Sequence, residues 1–423
     1  MSFSPLSHDD RITLARADSS PVVNALASLG NRSVPPWLNP GHPYPTGALP
    51  TAPAQFAALA PSDLIETIAA RSPLHALDGW GYLGRAINSL ISGDPHASRH
   101  LGYYAELRAA LSILASSGIG IFNRQNVVVD AAGSIHSMAP RSTHDMCWAA
   151  IAHWATIGNS LETVISPISL GGASLNELLR AFFPGASTAA AGYLMQEWGF
   201  DLQQGANDKD ERNSSSYQPT ALLNLLTTPN GDAEFLTMFW EAMRPGSPIL
   251  NKHLLRILLE VESLSLGDVS LHEREHRYTQ MDDRARRLVP IGFLLREDDP
   301  VDHQFLIHAA SRSDPAHPYS MICRAALLLQ VATGISEACM VRAGIQPTTK
   351  FDNWWRQFGI DHGLWAPPYS PSASTELWED VNIALEDLAT APVASRHQWV
   401  ASMGGGAVRL CETERAGLWG LFR

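Results

Sequence analysis

Between residues 318 and 333 the chain carries Met321, Ile322, Ala325, Ala326, Leu328, Leu329 and Val331, apolar at helical spacing on almost every side. A helix of this kind has no face to give to water, so other helices must enclose it. That requirement sets the fold class before any motif is considered. The chain must supply a shell of further helices, and its 423 residues are long enough to do so.

The rest of the sequence supplies that shell. Pro61, Ser62 and Asp63 open a helix, because proline fits a first turn and short polar residues cap it. Trp80, Leu83, Ile87, Leu90 and Ile91 recur at steps of three and four, which predicts a second helix that Gly93-Asp94-Pro95 ends. A longer helix follows to about 117. At Gly118 the period changes. Ile119–Phe122 and Val127–Asp130 predict two short strands around Asn123-Arg124, with a third starting near Ile135. Helices are expected again near 144–157, 219–228, 231–243, 249–264, 271–288, 302–312, 318–333 and 335–343. The predicted fold is mainly α: one or more multi-helix bundles with a small β-hairpin insert near 119–137. Four segments are expected: a proline-rich arm at 1–60, helical domains at 61–205 and 220–345, and a tryptophan-rich C-terminal region at 346–423. The polar stretch 203–218 marks the softest boundary.

Composition narrows the function. Net charge is −12 with no basic stripe, so nucleic acid as a main partner is not indicated. Lysine is confined to Lys209, Lys252 and Lys350, a bias that with the many alanines points to a GC-rich bacterial genome. Cys147, Cys323, Cys339 and Cys411 form no Cys-x-x-Cys pair and sit in apolar contexts, as reduced core cysteines do. The N-terminus lacks the pattern of a secretory signal, and no membrane span is expected, so a cytoplasmic protein is predicted. Twelve tryptophans and the Pro35–Pro45 stretch offer large rigid apolar surface. Trp37, Tyr44 and Trp365 lie beside prolines and are the expected anchors for other protein subunits.

Three constellations could carry chemistry. His272-Glu273-Arg274-Glu275-His276 places two imidazoles four apart on one helical face, the spacing of a zinc pair with a glutamate base. Arg274 and Glu275 inside it, and Asp282, Asp283, Arg284, Arg286 and Arg287 after it, predict a solvated charged face instead, with no metal or other cofactor. Arg141 and His144, beside His136 and Asp145, stand at a helix start that could hold an anion, although a cap and its first turn explain the same run. Arg312-Ser313-Asp314-Pro315-Ala316-His317 pairs a phosphate-binding side chain with an acid–base one.

Tyr103-Tyr104-Ala105-Glu106-Leu107-Arg108, with the helices around it, resembles the helical domains of the HEPN group over about residues 60–155. That group includes stand-alone members of prokaryotic defence and toxin loci. The resemblance implies a defence association, and the spacing of Arg312 and His317 is similar to that of HEPN ribonucleases. Glu106 and Arg108 lie two apart in an apolar helix, so each needs its own partner. The leading expectation is a non-catalytic or accessory subunit of a bacterial multiprotein assembly, such as an antiphage defence system. The alternatives are a HEPN-like ribonuclease using Arg312 and His317, and a zinc hydrolase using His272, Glu273 and His276.

Overall fold

The computed structural model describes residues 5–30, 52–183, 191–200, 227–265, 270–311, 314, 316–345, 352–391 and 395–421. Trp37, Tyr44 and Arg312 lie outside these residues, as do the polar stretch 203–218 and nearly all of the helix expected at 219–228. In chain order the elements begin with α1 (His8–Leu14), α2 (Ser20–Gly30), α3 (Pro53–Ala57), α4 (Pro61–Ile91) and α5 (Pro95–Ser116). A small sheet follows, β1 (Ile119–Gly120), β2 (Val127–Val129) and β3 (Ile135–Ser137), and then α6 (Thr143–Trp154) and α7 (Ser160–Ile165). The hairpin β4 (Ser169–Leu170) and β5 (Ala173–Ser174) leads into α8 (Leu175–Phe182) and α9 (Ala191–Glu197). Next come α10 (Pro229–Met243), α11 (Ile249–Ser265), α12 (Leu271–Tyr278), α13 (Asp283–Leu288), α14 (Ile291–Leu294) and α15 (Gln304–Ala309). The last helices are α16 (Pro318–Arg342), α17 (Asp352–Asp361), α18 (Ser374–Thr390), α19 (Arg396–Met403), α20 (Gly406–Arg409) and α21 (Glu414–Leu421). The fold is mainly α, with two small antiparallel sheets among the described residues.

The helix that is apolar all round is α16, and α4 and α5 pack along it, with α2, α15 and α21 closing further sides. It is long and apolar enough to cross a bilayer, but most of it is buried inside the fold, so it is the central core helix. Gly334 does not break it at 333. With no side chain there, Pro167 can approach to 2.6 Å from where a Cβ would stand. Residues on both sides of the expected boundary near 205 therefore share one apolar core.

Two helices expected in the 62–91 stretch are one. Pro73 lies inside α4, and a buried serine cluster surrounds it. Ser112 donates to the Ser72 carbonyl (2.6 Å), the Ser72 hydroxyl reaches those of Ser116 (2.6 Å) and Ser336 (3.0 Å), and Ser116 donates to the Ser112 carbonyl (2.9 Å). These serines tie α4 to α5 and α16 beside the proline, whose missing N–H leaves the Ala69 carbonyl without its helical donor.

Glu106 and Arg108 on α5 do find separate partners. Arg324 on α16 donates to Glu106 at 3.2 Å, with both side chains almost wholly buried. Arg108 lies 3.0 Å from His75 Nδ1 and 3.6 Å from Asp78 on α4. Burial first, then Arg108 and Arg71, hold His75 well below the usual histidine range. The sheet matches its expected pairing: β1 against β2 and β2 against β3, all antiparallel, with Val128 opposite Ile119 and His136. Asn123 and Arg124 take positive φ at the turn.

The expected arm needs correction at its start. Residues 8–14 and 20–30 are helices, and Val22, Leu26 and Leu29 bury α2 against α4 and α16. Asp10 ties α1 to the segment after β3 by accepting from the Ala139 amide at 2.8 Å.

Candidate functional site

A cavity of about 620 Å³ opens where α4, α13, α16, α21 and the β4–β5 hairpin meet. Each wall has a local cause. On α16, Gln330, Thr333, Gly334 and Glu337 stand at i, i+3, i+4 and i+7, so they share one face and line the cavity together. On α21, Ala416, Trp419 and Gly420 do the same. Trp80 of α4 donates its indole N–H to Thr333 Oγ1 at 2.9 Å, which fixes the ring in the wall. The β4–β5 turn is Gly171-Gly172, at φ 64° and 89°, a backbone that favours glycine at both positions. Leu288 Cδ1 lies 2.1 Å from where a Gly171 Cβ would stand, and the Arg284 guanidinium 3.0 Å from that of Gly172. The hairpin therefore packs directly on α13.

Helix α13 explains the basic rim. Asp282 caps it by accepting from the Ala285 amide at 2.8 Å, which is why the charged stretch 271–288 divides into α12 and α13. Ala285 and Val289 are buried, and the Tyr278 hydroxyl donates to the Arg286 and Val289 carbonyls (3.0 and 3.1 Å). With that side anchored, Arg284 and Arg287 border the cavity, while Arg286 pairs with Asp283 outside it. Arg244, in the turn between α10 and α11, is a third rim cation and lies 5.6 Å over the Trp378 ring. None of Arg244, Arg284 and Arg287 forms a salt bridge with a described residue, and the lining holds one carboxylate, Glu337. The charged side chains of 282–287 are solvated as expected: Asp282, Asp283, Arg284 and Arg287 are exposed, and only Ala285 is buried.

This lining can hold an oxyanion. A guanidinium presents parallel N–H donors that match carboxylate or phosphate oxygens two at a time. The apolar surface of Trp80, Met243 and Trp419 offers a place for a flat or aliphatic body beside that anion.

The expected site residues lie elsewhere. His317 caps α16, its Nδ1 accepting from the Tyr319 amide at 3.2 Å, with Pro318 in the first turn. Burial lowers its pKa, and the nearby carboxylates Asp314 and Asp232 only partly offset this. Tyr319 stacks on Phe235 (4.2 Å between ring centres) and donates to buried Asp232 at 2.7 Å. Asp232 is also held by Arg396. Arg141 donates to the Pro5 carbonyl at 2.8 Å. His144 Nδ1 is 2.8 Å from the Tyr103 hydroxyl, and Ser142 caps α6 by accepting from the Asp145 amide at 3.3 Å. Trp365 is only 8% exposed and packs on Gly359, so it fills its own core instead of offering an anchor. Helix α12 has no buried residue; His272 and His276 are exposed, and Glu273 is engaged by Arg277. Among the described residues no group of three or more histidine, cysteine, aspartate or glutamate side chains converges as metal ligands.

The cavity residues escaped the sequence reading because each comes from a different element. One signal was present: Gln330, Thr333 and Glu337 put a polar stripe on the second half of an otherwise apolar core helix. Comparison with protein-family models, with curated proteins and with solved structures finds no match to this chain.

Proposed function

We propose that the chain is a binding subunit whose central cavity takes an anionic small molecule. One observation carries this reading. In a chain of net charge −12, three arginines without acidic partners among the described residues border the same cavity of about 620 Å³. All three are exposed and keep their hydration, which leaves their N–H donors open to an anionic ligand. The cavity volume falls within the usual range of organic-ligand sites, roughly 300–1,000 Å³. Binding without chemistry also suits an accessory subunit of a larger assembly, which would then respond to the ligand.

The test is titration calorimetry of the purified chain with inorganic pyrophosphate. Binding is expected at low ionic strength, weakening with added salt and lost in the double variant Arg284→Ala/Arg287→Ala. Undiminished binding by that variant, or no binding by the native chain, sinks the proposal.

A further inference from the structure

We infer that the anion taken by this cavity carries a hydrocarbon chain: it is the diphosphate ester of an apolar alcohol, with its head at Arg244, Arg284 and Arg287 and its chain on the inner walls. This rests on reading the cavity as an anion site. Charge and apolar surface are separated within the lining. The three arginines are exposed at the edge. Further in, Met243 and Trp419 are 7% and 8% exposed, and Pro167, Pro245, Pro248 and Leu288 add half-buried apolar surface to the same lining. The polar side chains between them are already engaged. Asn251 donates to the Ser169 carbonyl at 2.8 Å, and Gln330 Nε2 reaches Asn251 Oδ1 at 3.4 Å. The Gln330 carboxamide oxygen is closed off from the cavity. Thr333 accepts from Trp80, and Ser247 accepts from the Ile249 amide at 3.3 Å.

The body of the ligand follows from those walls. A sugar or a base would give up its hydration against groups already bound to one another, and nothing would replace it. A hydrocarbon chain instead gains by leaving water, in proportion to the surface it buries. The head follows from the rim. Three guanidinia match more than one negative charge, and a diphosphate offers each of them an oxygen, which a single carboxylate does not. A diphosphate alone fills only part of the cavity of about 620 Å³, so the chain has room behind it.

Calorimetry on the full chain separates this inference from the one beneath it. The probes share one head and differ in chain: pyrophosphate, dimethylallyl diphosphate with five carbons, and geranyl diphosphate with ten. A fully buried methylene is worth roughly fourfold in affinity, so about tenfold or more is expected at each step even if burial is partial. Geraniol, the same chain without the head, is expected to bind at least about tenfold more weakly than geranyl diphosphate. The double variant Arg284→Ala/Arg287→Ala weakens all three diphosphates. Met243→Gln, a polar side chain of similar length in the wall, is expected to reduce the gain from chain length and leave pyrophosphate unaffected. Equal affinity for pyrophosphate and geranyl diphosphate overturns the hydrocarbon assignment and leaves the anion site standing. Geraniol bound as tightly as geranyl diphosphate, or failure of every probe, overturns both. The series on the native chain needs no variant, so it decides the matter even if Met243→Gln does not fold.

Discussion

Arg324, Arg256 and Arg415 are closed off inside the fold, whereas Arg244, Arg284 and Arg287 stand exposed at the edge of a cavity without acidic partners among the described residues. The enclosed ones are bound on several sides. Arg256 donates to the Phe293, Asp299 and Val301 carbonyls and to Asp302, at 2.5–3.2 Å. Arg415 reaches Glu412, Asp380 and the Leu364 and Leu377 carbonyls. Arg396, partly exposed, holds buried Asp232 and also takes the Leu90, Ile91 and Thr227 carbonyls, and so binds the C-terminus of α4 to α19. A buried charge has to be matched in this way, or desolvation would expel it. The rim arginines remain partly hydrated and need no such matching. The difference teaches that a fold can hold its structural arginines with internal acceptors and leave others available for a ligand.

The sharpest way to break this comparison is to take a charged partner away from an enclosed charge. Arg324→Met leaves Glu106 buried beside an apolar neighbour and is expected to cost about 3–5 kcal/mol in urea unfolding. Glu106→Leu/Arg324→Met removes both charges at similar volume and should recover most of that loss. If the double variant is as unstable as the single one, the pair holds the core by packing alone and the distinction between the two sets weakens.

Acid provides a second, smaller probe of the enclosed network. His303 caps α15 through Nδ1 (3.2 Å to the Phe305 amide), and burial, then the charges of His253 and Lys252, push its pKa down to about 4. A depressed histidine is neutral in the fold but takes a proton more readily when unfolded. Its contribution is present above about pH 6.5 and lost as pH falls from there towards 4. Asp302 acts in a lower window. Burial alone raises its pKa, but hydrogen bonds from His253, Arg256 and Arg296 outweigh this and hold it below the usual carboxylate range, so its stabilisation fades only below about pH 4. Unfolding free energy should therefore drop between pH 7 and 5, with His303 supplying on the order of 1 kcal/mol after solvent screening. His303→Asn keeps a capping side chain and removes the titration; an unchanged pH slope in that variant would show that His303 is not the source.

How much of this was legible beforehand follows from the range of each interaction. Met321 to Val331 announced the buried helix because helical periodicity is local. Gly118 announced the switch to strands for the same reason. The expected break within 62–91 was wrong because α4 is held continuous by packing along α5 and α16, which are distant in sequence. Trp365 misled because neighbouring prolines suggest an exposed loop, while its burial depends on Gly359 giving it space. His272 and Glu273 formed a visible motif on a helix that buries nothing. The cavity was the hardest to see, since Trp80, Gln330 and Trp419 are brought together only by packing.

On the other side of the comparison, Arg284→Ala/Arg287→Ala should leave stability almost unchanged. Neither residue has a carboxylate to strand, so urea unfolding without ligand is expected to shift by no more than about 0.5 kcal/mol. A small gain is the informative outcome, because removing two like charges relieves repulsion at the rim. A loss of 2 kcal/mol or more would mean that these arginines are structural after all, and the anion reading would lose its support.

The smallest effect belongs to helix α12, where charges are paired but exposed. Arg277 donates to Glu273 one turn earlier and also lies 4.8 Å over the Phe183 ring. Ser270 caps the helix, and Glu273 sits in its first turn, where a negative charge favours the dipole. Glu273→Gln keeps the side-chain length and removes only the charge. Exposed pairs at this spacing contribute about 0.3–0.5 kcal/mol, and salt screens them. The variant should therefore be destabilised by about 0.3 kcal/mol at low ionic strength, and by less in 0.5 M salt, where the Debye length shrinks to roughly 4 Å. The salt dependence decides the matter. A cost that survives high salt would show that Glu273 is held in a desolvated contact, and surface charge on α12 and α13 could then no longer be treated as free for a ligand.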